Sequence, residues 1–177
     1  MPAAGVRTPS LADYLINKNY HDRHYGWPIQ ADNELYCRLV LEINQAGLSW
    51  TTLLHKEINY RNAYHQFDIS IVANYTEQDV QRLLTNAGII RNQIKIRAAI
   101  HNANVIGEIQ LQAGSFKNWL DAHTEMSLEE WVQLFKKTFK FMGMQIVGEF
   151  LMSTGYLRGA HDEACPIFKK IQKLKTK

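Results

Sequence analysis

Cysteine is scarce in this 177-residue chain: Cys37 and Cys165 are the only two. That is too few for a disulfide framework, so burial rather than cross-linking must hold the fold. Proline is nearly as rare, with four residues, and glycine reaches only ten, which excludes collagen-like and Pro/Gly-rich disordered chains. No apolar stretch approaches the roughly 20 residues of a membrane span, and the N-terminal stretch lacks the hydrophobic segment of a secretory signal. Also missing are any internal repeat and any alternating apolar and polar run long enough for a strand. Charge of one sign is in slight excess only, 20 Lys and Arg against 17 Asp and Glu, which permits contact with nucleic acid without demanding it. A cytoplasmic protein without a membrane partner is the simplest expectation.

What remains is apolar, at 46% of the residues, and patterned for helices. One globular domain over residues 1–177 is expected, with a loose N-terminus over 1–10 and a basic, amphipathic tail over 168–177. The fold class is all-α. A short helix over Leu11 to Ile16 leads into an aromatic loop, Asn19 to Pro28, that holds Tyr20, His21, His24, Tyr25 and Trp27 around Gly26. Asp32-Asn33-Glu34 can cap a helix to about residue 46, and a second runs from Ser49 to about Gln66. Asp68 to Tyr75 is expected to be a turn-rich link. Thr76 with Asp79, and Ser127 with Glu130, have capping-box spacing before apolar runs. A long helix runs to about Gln112, Gly114-Ser115 opens a short one, and Gly143 precedes a last apolar helix to Thr154.

Two stretches carry chemistry. In Leu41-Glu42-Ile43-Asn44-Gln45-Ala46-Gly47-Leu48-Ser49-Trp50, a carboxylate sits in an apolar helical run, where it must be hydrogen-bonded or used by a ligand. Gly47 ends that helix where positive φ is needed, and Ser49 caps the next. The result is a tight corner with an acid before it, Leu48 at its tip and an indole after it. The second stretch is Asn86-Ala87-Gly88-Ile89-Ile90-Arg91-Asn92-Gln93-Ile94-Lys95-Ile96. A tight turn between helices directs backbone N–H groups outward at a helix start, which suits a phosphate.

Together with Tyr20-His21-Asp22 and Tyr25-Gly26-Trp27-Pro28, these motifs resemble the bacterial 3-methyladenine DNA glycosylase I family of the helix-hairpin-helix superfamily. Phe139-Lys140-Phe141-Met142-Gly143 and the spacing of His161 and Cys165 are similar to that family too, so the likeness covers about residues 20–165. It implies a monofunctional enzyme that flips 3-methyladenine, with 3-methylguanine as the lesser substrate, out of double-stranded alkylated DNA and hydrolyses its glycosidic bond. The alternative is a non-catalytic or altered-specificity DNA-binding relative.

By this resemblance Glu42 is the base-recognising carboxylate on which catalysis depends, and Tyr20, Tyr25 and Trp50 line the base pocket. The family usually has Trp where Tyr25 stands. Leu48 would enter the gap left by the everted nucleotide, with Gly47 beside it at the DNA, and Gly88, Ile89, Ile90, Arg91, Asn92 and Lys95 would hold the DNA backbone. No cofactor is implied for the chemistry, and a monomer is expected. The family ties its termini with a zinc ion on two Cys and two His. His21, His161 and Cys165 match three of these ligands, but residues 1–19 contain no cysteine for the fourth, which argues against a complete site.

Overall fold

The computed structural model describes residues 9–175, and among them it holds helices and no strand. The elements are α1 (Leu11–Arg23), α2 (Asp32–Gln45), α3 (Trp50–Ala63), a 3₁₀ turn (His65–Phe67), α4 (Ile69–Ala73), α5 (Glu77–Thr85), α6 (Gln93–Ala113), α7 (Phe116–Asp121), α8 (Leu128–Thr138), α9 (Met144–Ser153) and α10 (Pro166–Lys175). None of the described helices is long and apolar enough to cross a membrane. Of the loose N-terminus, residues 1–8 lie outside the described part. The described part of the basic tail, residues 168–175, is the end of α10, whose Ile167 and Ile171 are buried.

The centre is α2. All ten residues from Leu35 to Asn44 are buried, because α3, α6, α7 and α9 pack around it. A helix enclosed on every side has no solvent face on which to place a polar residue. Arg38, Glu42 and Asn44 are therefore committed to internal partners or to a cavity.

Several boundaries differ from the sequence reading for identifiable reasons. The first helix does not stop at Ile16 but continues through the aromatic stretch to Arg23, opened by a reciprocal Ser10 and Asp13 capping box. No residue of α1 is buried, so it carries no core-facing stripe for periodicity to reveal. Asp32 does not cap α2: its carboxylate accepts from the backbone N–H of Phe116 and Lys117 and from Gln110, and so caps α7 across the fold. The link after Asp68 contains the short helix α4, capped by the Asp68 carboxylate. The second helix ends at Ala63, because His65, Gln66 and Phe67 all take positive φ. The capping boxes at Thr76 and Ser127 form as their spacing indicates.

Two glycines are required where they stand. Gly26, at φ +77°, donates to the Ser153 carbonyl at 2.8 Å, and a Cβ there would lie 2.6 Å from the Ala160 Cβ. Gly47 has open space around it but a φ of +87° that only glycine adopts without cost.

Candidate active site

Four helices and one loop line a cavity of about 420 Å³. Glu42 and Gln45 enter it from α2, Tyr20 from α1, Tyr25 from the loop after α1, Trp50 from α3, and Gln145 and Glu149 from α9. The rings form one wall, with Tyr20 4.9 Å from Trp50 and 5.8 Å from Tyr25 between ring centroids. The sequence-selected acid and rings thus meet. Sequence reading missed Arg38 and the α9 pair. The signal for Arg38 was present, one helical turn before Glu42 in the same apolar run; Gln145 and Glu149 lie about 100 residues downstream and only the fold brings them in.

Glu42 is 3% exposed. Burial pushes its carboxyl up to about 8, and the neighbouring Glu149 adds to this, while the Arg38 charge and the Ser153 side chain draw it partly back. Arg38 donates to the Tyr20 hydroxyl oxygen at 2.9 Å and to the Ser153 carbonyl at 3.3 Å, with its guanidinium 5.1 Å from the Tyr20 ring centroid. The Tyr20 hydroxyl proton is thereby left to donate elsewhere. Tyr25 donates its hydroxyl to Glu149 at 3.2 Å. Burial raises both phenols well above the ordinary tyrosine value, so both stay protonated. The indole N–H of Trp50 is buried with no partner. A cavity with facing rings, an acid deep in its floor and unspent donors can bind a planar cation carrying hydrogen-bonding edges.

The corner after α2 stands beside the cavity. Leu48 is 37% exposed, its N–H donates to Gln45 O and its carbonyl accepts from the Gln45 amide, and Ser49 caps α3 through Thr52 N. Lys95 is not free to grip a ligand. It is 7% exposed, and its ammonium donates to Asn44 O at 3.3 Å and Ala46 O at 3.0 Å, capping the end of α2.

Between α5 and α6, the hairpin has most of its amides occupied. Gly88 N–H goes to the Asn86 side chain, Ile89 N–H to Asn86 O, Ile90 N–H to the Tyr60 hydroxyl and Asn92 N–H to Ile90 O. Ile89 is buried as a core anchor. Asn92 caps α6 through the N–H groups of Ile94 and Lys95. The amides of Arg91 and Gln93 are unspent, and the exposed Arg91 side chain has no ion pair among the described residues.

His21, His161 and Cys165 also converge. His161 Nδ1 lies 3.2 Å from His21 Nε2, and the Cys165 sulfur is 3.5 and 3.8 Å from these nitrogens. The outer ring atoms are held, His21 Nδ1 by the Asp22 carboxylate and His161 Nε2 by the Tyr25 carbonyl. Two lone pairs and a thiol then face one another, an arrangement that a cation satisfies and a ring-to-ring hydrogen bond does not. Three zinc positions fit on this chemistry. A fourth protein thiolate does not, because Cys37 is buried in α2.

The fold and this site define a helix-hairpin-helix DNA glycosylase. Solved structures of 3-methyladenine DNA glycosylase I superimpose with TM-scores of 0.78 and 0.79. The second of these, from Staphylococcus aureus and solved for the structural basis of 3-methyladenine recognition, is 31% identical and covers 86% of this chain and 90% of its own. Among curated proteins, DNA-3-methyladenine glycosylase 1 of Escherichia coli K12 is 35% identical over 77% of this chain and 83% of its own length. DNA-3-methyladenine glycosylase of Haemophilus influenzae is 30% identical over 91% and 97%. The methyladenine glycosylase family model matches residues 12–130. The chain belongs to that family.

Proposed function

We propose that this protein excises 3-methyladenine, and less readily 3-methylguanine, from double-stranded alkylated DNA. The observation that carries this reading is a buried acid, Glu42, in a cavity walled by Tyr20, Tyr25 and Trp50. A purine methylated at N3 is cationic and its glycosidic bond is already weakened, so binding can supply much of the catalysis. Everted into the cavity, the cation gains about 0.5 to 2 kcal/mol from a well-placed ring. It also favours the ionised form of Glu42, whose proton the empty cavity retains up to about pH 8. The bond from the sugar C1′ to the base then breaks, the base leaves with the electron pair as a neutral molecule, water adds to C1′, and one proton is released. Tyr25 and Glu149 form the wall where this chain has Tyr in place of the family's usual Trp, and so set its lesion preference.

Leu48, on the Gly47 corner, fills the stack that the base vacates. Arg91 and Gln93 offer free amides to a phosphate, with Gly88, Ile89, Ile90 and Asn92 shaping the turn. Leu48→Gly is expected to weaken binding to a lesion-bearing duplex about tenfold while leaving the melting temperature within 2–3 °C, since little apolar area is lost from the core. Unchanged duplex affinity would remove its role. A monomeric, cytoplasmic enzyme belongs to the same proposal.

Chromatography of bases freed from methylated DNA tests the assignment. Release of 3-methyladenine is expected, and folded protein that frees no methylated purine would sink the reading in favour of a DNA-binding module.

The chemistry requires no cofactor. His21, His161 and Cys165 would hold a structural zinc that ties α1 to the segment before α10, with the remaining position left to a non-protein ligand. Chelation is expected to lower the melting temperature by several degrees, and added zinc to restore it, without changing affinity for free 3-methyladenine. A melting curve indifferent to chelator would leave the two ends joined by apolar packing alone.

A further inference from the structure

One motif has no part in the base cavity: Phe139 to Gly143, between α8 and α9. Its backbone is held firmly. Phe139 and Met142 are buried anchors. Between them the fully buried Asn102 clamps Lys140 from both sides, accepting from its N–H at 2.8 Å and donating to its carbonyl at 3.1 Å. Under this clamp Phe141 takes a φ of +63°, a region costly for a residue with a branched-out aromatic side chain, and it stands 38% exposed. A phenylalanine held outward against both its backbone preference and its hydrophobicity is a candidate for function.

Its position says for what. The Lys95 ammonium lies 5.6 Å from the Phe141 ring centroid and donates to Ala46 O, two residues before Leu48. Phe141 therefore stands next to the corner that fills the DNA stack. Exposed Ile94, in the first turn after the hairpin, shares an apolar groove with it. Lys140, a cation without an ion-pair partner among the described residues, lines the same groove and matches a phosphate backbone.

We propose that Phe141 is a second DNA-inserting side chain: it stacks on a base left unpaired or unstacked in the lesion-bearing duplex, beside Leu48. This rests on the glycosylase reading, since only eversion of a nucleotide creates such a base. The duplex is gripped at two points, Leu48 from the α2–α3 corner and Phe141 from the α8–α9 loop, with Lys95 joining the two. Base-to-aromatic stacking is sequence-tolerant, as a lesion searcher needs.

The test compares Phe141→Ala, Phe141→Gly and Phe141→Trp with wild type. One probe is a duplex carrying a stable abasic-site analogue; the other is free 3-methyladenine, followed through tryptophan fluorescence. Phe141→Ala is expected to weaken duplex binding at least tenfold with free-base affinity within twofold, and Phe141→Trp to return within threefold of wild type. Phe141→Gly relieves the backbone, so it is expected to melt above Phe141→Ala and yet bind duplex as poorly, which separates folding from function. Duplex affinity within twofold of wild type for Phe141→Ala would overturn the proposal. So would a parallel loss of free-base binding, which would make Phe141 a prop for the cavity. Failure of the wild type to release 3-methyladenine would instead overturn the glycosylase reading.

Discussion

Glu42→Gln is expected to reduce base release at least 100-fold and to make the protein more stable, with the stability gain growing as pH rises. The loss of activity follows from replacing a charge-assisted contact to a cationic base by a neutral one, an effect of about 3 kcal/mol in the transition state. The gain has the opposite origin. The Glu42 carboxyl titrates near 4.5 in the unfolded chain and about 8 in the folded protein, so between these values the folded state holds a proton that the unfolded state has lost. Stability from this group is therefore complete below about pH 4.5 and is lost as pH rises through about 8. Its removal in the glutamine variant is expected to be worth on the order of 3 kcal/mol at pH 9 and close to nothing at pH 5. Denaturant unfolding of both proteins at the two pH values measures it. Over the same range the wild type is expected to release 3-methyladenine faster as pH climbs towards 8, because the cation no longer has to displace a proton. A variant as labile at pH 9 as the wild type would mean that burial does not raise the Glu42 carboxyl, so that its ionised form carries no penalty in the empty cavity.

Lys95→Met carries the second large effect, on folding and DNA affinity together. The methionine keeps the apolar stem but leaves the carbonyls of Asn44 and Ala46 without their donor, at a cost of about 1–3 kcal/mol. The corner carrying Leu48 then loosens from the α6 end of the hairpin, and duplex affinity is expected to fall at least tenfold. The salt dependence of binding separates this from a lysine on phosphate. Loss of a phosphate contact flattens the slope of log K against log salt by about 1, whereas loss of an internal cap leaves the slope unchanged. A flatter slope would return Lys95 to the DNA backbone, the role its place after the hairpin suggests from sequence alone.

That contrast shows how far the sequence could be read. The capping boxes at Thr76 and Ser127, the Gly47 corner and the meeting of Glu42 with Tyr20, Tyr25 and Trp50 all follow from local spacing or from a family motif that spans them. The motif gives Lys95 its place in the chain but not its intramolecular partners, because a side chain in the first turn of α6 reaches a helix end some 50 residues earlier. Asp32 failed as a cap for the same reason, its acceptors being taken by α7. Helix α1 could not be read through to Arg23, since its inner face meets a cavity and a histidine and cysteine cluster rather than a core. Three successive positive φ values at His65 to Phe67 have no glycine to announce them. Glu149 carries no local pattern, and only the packing of α9 on α2 brings it opposite Glu42.

The enclosure of α2 bears on how such an enzyme changes over generations. Arg38 and Glu42 lie inside the enclosed helix, where a substitution alters the cavity floor and its charge at once and takes base release with it, so the floor is closed to gradual drift. Tyr25, Gln145 and Glu149 stand on half-open elements, and variation there costs little in foldability. New lesion preferences should therefore arise by altering the rim while the floor stays fixed.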